Sequence, residues 1–123
     1  ANDFFIDFFE TALNDGEIIT RISFPLPERA GYAKFPNPAS RYAIVGVMVA
    51  DLGGAVRVAV TGAGPCVFRA TDMEAALGQA LSSSVELPAP AADGLNSDMH
   101  ASAEYRAHLV TVMAKRAITD AIA

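Results

Sequence analysis

The chain has 123 residues, enough for one domain with a real core, and carries nine Lys and Arg against fourteen Asp and Glu, a formal net charge of −5. That balance, with no run of like charge, excludes the cationic face of a nucleic-acid binder and a polybasic membrane segment. Apolar residues make up 52 %, much of it alanine, with aromatics at 8 % and no tryptophan, a composition for close helix-on-sheet packing rather than a roomy pocket.

The first residues, Ala1-Asn2-Asp3-Phe4-Phe5, lack an initiator Met and open directly on apolar sequence, which reads as a piece of a longer polypeptide. Phe4, Phe5, Phe8 and Phe9 have helix-like spacing until Asn14-Asp15-Gly16 turns the chain. Glu17 to Phe24 is β-branched and partly alternating, predicting a strand that Pro25-Leu26-Pro27 ends. A short strand is predicted at Tyr32–Phe35, before Pro36-Asn37-Pro38, which cannot continue a ladder.

Tyr42 to Ala50 is almost wholly apolar and predicts a central strand. Asp51-Leu52-Gly53-Gly54 then turns the chain into a return strand. There Val56, Val58 and Val60 point one way and Arg57, Ala59 and Thr61 the other. Val67-Phe68-Arg69 reads as an edge piece. Thr71-Asp72-Met73-Glu74 has the capping-box pattern, and Met73, Leu77 and Leu81 follow as a helical stripe. Residues 82–98 are loop-rich with room for one short helix, and Ser102 to Ile122 predicts a long final helix. The expected fold is therefore α+β: an antiparallel sheet of three to four strands followed by about three helices packed on one face.

Few residues invite chemistry. Gly62-Ala63-Gly64 follows a strand, but the dinucleotide fingerprint needs a third glycine where Val67 stands, so a glycine-rich strand exit is the better reading. Asp93, Asn96 and Asp98 lack EF-hand spacing and read as a turn leading into the last helix. His100 and His108 are too far apart in sequence to share a metal on one helix. Cys66, the only cysteine, allows no internal disulfide, which fits a reducing compartment, and no base is evident beside it. Arg106 and Arg116 fall in or beside the apolar arc of the last helix, where arginine serves a salt bridge or an inter-subunit contact. No segment approaches the length of about 20 apolar residues needed to span a bilayer, and no signal peptide is evident at the start.

Several stretches, in order, resemble one family. Glu17-Ile18-Ile19-Thr20, Phe24-Pro25, Tyr32-Ala33-Lys34-Phe35, and Pro38 through Val47 are similar to the FAD-binding medium subunit of molybdenum hydroxylases, the xanthine dehydrogenase and aerobic carbon monoxide dehydrogenase type. Val58 to Gly64, Arg69 to Leu77, Ser102 to Leu109 and Arg116-Ala117 continue the resemblance. It covers the C-terminal portion of that subunit, and implies a small α+β domain at residues 17–123 preceded, at 1–16, by the tail of an FAD-binding domain.

The resemblance further implies that FAD is held mainly by upstream domains, and that Ile19 and Lys34 touch it from this side. A cation at Lys34 would stabilise negative charge on a reduced flavin. After Lys34 the chain departs from the xanthine dehydrogenase pattern, with Pro36 and Pro38 in place of a more polar stretch. Implied partners are the upstream FAD-binding domains, a molybdenum-binding large subunit and a 2Fe–2S small subunit, in the cytoplasm. The chain alone is then expected to be neither a tight FAD binder nor an enzyme. The alternative is a stand-alone, non-enzymatic interaction or dimerisation domain.

Overall fold

A computed structural model describes residues 2–78 and 80–123. After a short N-terminal hairpin, β1 (Phe5–Asp7) and β2 (Glu10–Thr11), the chain forms β3 (Arg29–Pro36), β4 (Ala43–Asp51), β5 (Val56–Thr61), β6 (Phe68–Arg69), α1 (Thr71–Leu77) and α2 (Ala103–Ile122). Strands β3 to β6 pair in sequence order as one antiparallel sheet, so every pairing is between neighbours in the chain. Helix α2 lies on β3 and β4, and α1 lies on β5.

The alternation in β5 sets the layers. Val56, Val58 and Val60 are buried together with Val45, Val47 and Val49 of β4, which face the same way. Met113, Val110, Ala114, Ala117 and Ile118 of α2 and Met73 of α1 close that side into one core. The other side of the sheet carries Tyr32, Lys34, Met48, Arg57 and Thr61, all exposed. Helices thus cover one face only, as the wet side of the alternation requires.

Gly31 decides how closely α2 approaches. A Cβ there would stand 2.1 Å from the Ala117 carbonyl oxygen and 2.9 Å from the Ala121 nitrogen, both backbone atoms of α2. At the β4–β5 turn Gly53 and Gly54 take φ of +73° and +115°, which a side chain disfavours.

Four expectations need correction. Glu17–Phe24 is not a strand: it pairs with no strand of the described residues, the Glu17 N–H goes to the Asn14 carbonyl, and residues 18–24 make no backbone-to-backbone hydrogen bond among the described residues. Phe4 to Phe9 form the β1–β2 hairpin rather than a helical turn. The passage 82–98 has no helix, leaving two helices instead of about three among the described residues, because its Ser and Pro residues favour turns over a ladder of i→i−4 bonds. Thr71 is inside α1, whose N-cap is Ala70 without a side-chain cap, and Glu74 turns to the sheet instead.

The final helix matches its expectation almost to the residue, with the Ser102 hydroxyl accepting from the Tyr105 N–H at 3.2 Å as its N-cap. Leu77 ends α1, yet Leu81 beyond it is still buried with Met73 and Leu77.

Gly31→Ala is expected to lower stability by about 1–3 kcal/mol, since neither backbone atom of α2 can yield without shifting the helix. Denaturant unfolding measures it, and an unchanged midpoint would show that α2 is not held at this distance.

Candidate functional site

The open sheet face is the surface on which Lys34 lies. Strand register places Lys34 beside Gly46 and Thr61, with Tyr32, Met48, Ala59 and Arg69 in the adjoining row. Gly46 has no side chain to fill its place, and the Tyr32 hydroxyl lies over it: a Cβ at 46 would be 2.6 Å from that oxygen. Lys34 Nζ donates to the Arg41 carbonyl at 3.1 Å and has no carboxylate partner among the described residues.

That carbonyl is positioned by the turn between β3 and β4. The Asn37 side-chain oxygen accepts from the Ala39 and Ser40 N–H groups, and the Arg41 N–H donates to the Asn37 carbonyl. Arg41 itself takes φ +65°, one of two non-glycine residues in the left-handed region. Pro36 therefore closes β3 and Pro38 sits in a braced turn that still supplies an acceptor to Lys34.

The two arginines on the strands of this face, Arg57 and Arg69, are neutralised. Glu74, on α1, reaches the sheet edge that β6 leaves uncovered, where one carboxylate oxygen accepts from the Val58 N–H at 3.0 Å and from Arg69 Nε at 2.9 Å. The second oxygen pairs with Arg69 Nη2 and lies 3.8 Å from Arg57 Nη1. Burial pushes the Glu74 carboxyl up, but Arg69, the Val58 N–H and Arg57 together outweigh it and hold the group below the usual glutamate value. Lys34 is left as the unpaired cation of the face among the described residues.

Ile19 is elsewhere. It lies half exposed in the extended segment before β3, and no hydrogen bond ties it to Lys34 or to the sheet among the described residues. Ile18, Ile22, Phe24 and Leu26 beside it are more exposed still.

The remaining sequence candidates resolve into structural roles. Arg106 is 4 % exposed and donates to the carbonyls of Ile44 (2.7 Å) and Gly62 (3.0 Å) and to Asp98 (2.7 Å), so it is the structural salt bridge. Arg116 is exposed and in no ion pair among the described residues. Asp98 also accepts from the His100 and Ala101 N–H groups, which with Arg106 hold its carboxyl below the usual range. Asn96 donates to the carbonyls of Gly62 and Gly64. The Gly62–Gly64 loop thus spends its carbonyls on the chain's own side chains. It is a strand exit, with Gly62 at φ +79°.

Cys66 is half-buried, with Sγ 3.8 Å from the Phe5 carbonyl oxygen. It lines a cavity of about 470 Å³ with Phe5, Ala59, Val67 and Arg69. No group of three or more His, Cys, Asp or Glu is placed to hold a metal among the described residues, and no helix there is long and apolar enough to cross a membrane.

Sequence reasoning missed Glu74, Asn96 and Asp98 as organising residues. The signal was present only for Glu74, whose place three residues after Thr71 was read as a helix cap.

A small antiparallel sheet with both helices on one face and a cation on the other is the frame in which the comparisons fall. The family profile of the CO dehydrogenase flavoprotein C-terminal domain matches residues 30–121. The nicotine 6-hydroxylase medium subunit of Paenarthrobacter nicotinovorans is 34 % identical over 98 % of this chain and 47 % of its own length. Quinoline 2-oxidoreductase from Pseudomonas putida 86 superposes with a TM-score of 0.75 at 26 % identity, over 98 % of this chain and 46 % of that one. A reconstituted CO dehydrogenase from Oligotropha carboxidovorans shares the fold, with a TM-score of 0.73 at 24 % identity over the same shares of the two chains. The chain belongs to the CO dehydrogenase flavoprotein C-terminal domain family. It is a flavoprotein-subunit domain of the molybdenum hydroxylase type, and it spans about half the length of the relatives it matches.

Glu74→Gln is expected to cost about 1–3 kcal/mol at pH 7, because a buried charged acceptor is lost. The folded-state pKa of Glu74 lies below the ordinary value of 4.5, so its contribution is complete above that pH and fades as pH falls through the folded value. The gap between the denaturation curves of the two proteins should therefore begin to narrow as pH falls below 4.5, and a gap that stayed constant with pH would contradict the assignment.

Proposed function

We propose that this chain is the C-terminal domain of the FAD-carrying subunit of a molybdenum, iron–sulfur and flavin hydroxylase. In the intact assembly, electrons leave a molybdenum-binding large subunit, pass 2Fe–2S clusters of a small subunit, reach FAD and go on to an external acceptor, in the cytoplasm. The observation that carries the proposal is the family match over 30–121, supported by relatives that are themselves medium subunits or oxidoreductases.

The residues present do not fit the whole of a dinucleotide. Gly62 and Gly64 turn their carbonyls to Asn96 and Arg106, and Val67 stands where the dinucleotide fingerprint needs a third glycine. What the chain offers is one wall: an open sheet face with an exposed ammonium at Lys34 and an exposed apolar side chain at Ile19. We read Lys34 as the cation beside the flavin and Ile19 as an apolar contact to it, with the upstream domains holding most of the cofactor. FAD bound there would supply the redox chemistry. The role of Lys34 is to favour negative charge near its Nζ, and the Arg41 carbonyl sets where that Nζ rests.

The domain by itself is then neither a tight flavin binder nor a catalyst. Titration of the 123-residue chain with FAD should show no stoichiometric binding at low micromolar concentration, and such binding would falsify the one-wall reading. In the intact subunit, Lys34→Met should make the flavin harder to reduce, by about 30 mV or more for the two-electron couple. Spectroelectrochemical titration measures it. An unmoved potential removes Lys34 from the flavin site, while the family membership stands.

A further inference from the structure

Lys34 rests on the Arg41 carbonyl at 3.1 Å, and nothing in its own side chain sends it there. Ordering a four-carbon stem costs about as much free energy as one exposed hydrogen bond from an ammonium returns. The bond therefore depends on a neighbour that removes the other places where the stem can lie.

Strand register identifies that neighbour. Lys34, Gly46 and Thr61 stand side by side on β3, β4 and β5, and Tyr32 is two residues before Lys34 on the same face. Lys34 and Thr61 are exposed, whereas Gly46 between them is buried. The Tyr32 side chain covers it. Tyr32 pairs with Met48, yet its hydroxyl leans one row towards the β3–β4 turn and stands over Gly46. A Cβ at position 46 would be 2.6 Å from Tyr32 Oη, 3.2 Å from its Cζ and 2.9 Å from Thr61 Cγ2. The gap that glycine leaves in the row is thus filled by the end of a phenol ring and a methyl group, with no room for one more carbon. Tyr32 is itself 49 % exposed, so it closes the gap from outside the core. A phenol ring has few torsions to lose when laid on a sheet, which makes it a firmer wall than a second long chain.

With that place empty, the direct course for the Lys34 stem is across the row, over Gly46 and onto Thr61, where its carbons gain apolar cover. The charge would then lie on the sheet and away from the turn. We infer that Tyr32 is the positioning residue for Lys34: by occupying the place over Gly46 it closes the sheet side to the stem and leaves the Arg41 carbonyl as the resting point of the ammonium. Its consequence for electron transfer rests on the reading of Lys34 as the cation beside the flavin. The placement of the ammonium is a property of this chain alone.

Lys34 and Lys115 are the two lysines of the chain, so nitrogen-15 labelling of lysine gives two ammonium signals in NMR, the second an internal control. In the 123-residue chain, Tyr32→Ala should speed hydrogen exchange of the Lys34 ammonium by about three- to tenfold, the loss of one net hydrogen bond, and leave Lys115 as it was. Tyr32→Val, a truncation with high strand propensity, should do the same. Tyr32→Phe keeps the ring over Gly46 and should change the Lys34 signal by less than about twofold. An unchanged Lys34 signal in both truncations overturns the inference. So does equal acceleration in Tyr32→Phe, which would mean that the hydroxyl holds the ammonium directly.

In the intact subunit, Tyr32→Ala should make the flavin harder to reduce by about half or more of the shift that Lys34→Met produces, and should add nothing to that shift in the double variant. A shift in Lys34→Met with none in Tyr32→Ala overturns the inference. A full additional shift in the double variant also does, since Tyr32 would then act without Lys34. No shift in either single variant is a failure of the flavin assignment instead, and the ammonium signals still decide whether Tyr32 positions Lys34.

Discussion

The Arg106 guanidinium joins the parts of this domain that sequence distance keeps apart. It leaves α2 and reaches under the sheet, where Nη1 bonds the carbonyls at which β4 begins and β5 has just ended, while Nη2 binds Asp98 in the loop before its own helix. A buried cation is costly unless its donors are matched; here two carbonyls match Nη1 and a carboxylate matches Nη2, while the buried Nε has no partner among the described residues. Because Asp98 also caps the His100 and Ala101 N–H groups, the same contact fixes where α2 starts. With the helix start fixed at one end and Gly31 admitting the α2 backbone at the other, α2 has a single resting place on β3 and β4. The opposite face of the sheet is left open as a consequence.

That asymmetry separates what stabilises the domain from what it can present. Carboxylates are spent on the covered side and the edges: Glu74 against Arg69 and Val58, Asp98 against Arg106, Asp51 against Arg29. Among the described residues Lys34 has no such partner, and its one bond there is to a neutral carbonyl in a turn. An ammonium held by a carbonyl keeps its full charge available to whatever approaches, which a salt-bridged lysine does not. In a chain of net charge −5 this is a local choice of sign.

Much of this was legible in sequence where the determinants are local. The β4–β5 hairpin follows from alternation and a Gly-Gly turn, and α2 from an uninterrupted helical stripe with Ser102 before it. Glu74 was visible but misassigned, since Thr-x-x-Glu describes a helix cap and an edge carboxylate equally well until the position of Val58 is known. Arg106 was placed on the right side of its helix, yet its carbonyl partners lie 62 and 44 residues away and leave no sequence signature. For the candidate site, register places Lys34 on the open face, whereas nothing in the pattern said that Arg57 and Arg69 would be neutralised and Lys34 would not.

The Glu17–Phe24 segment reverses the usual relation between pattern and structure. Its sequence states strand, and the chain offers it no ladder. Propensity is satisfied only through pairing, because an isolated extended chain leaves both its polar backbone and its apolar side chains in water. The sheet here has no role for it: β4 and β5 are paired on both sides, and β3 enters its ladder only at Arg29, after two prolines have broken the run.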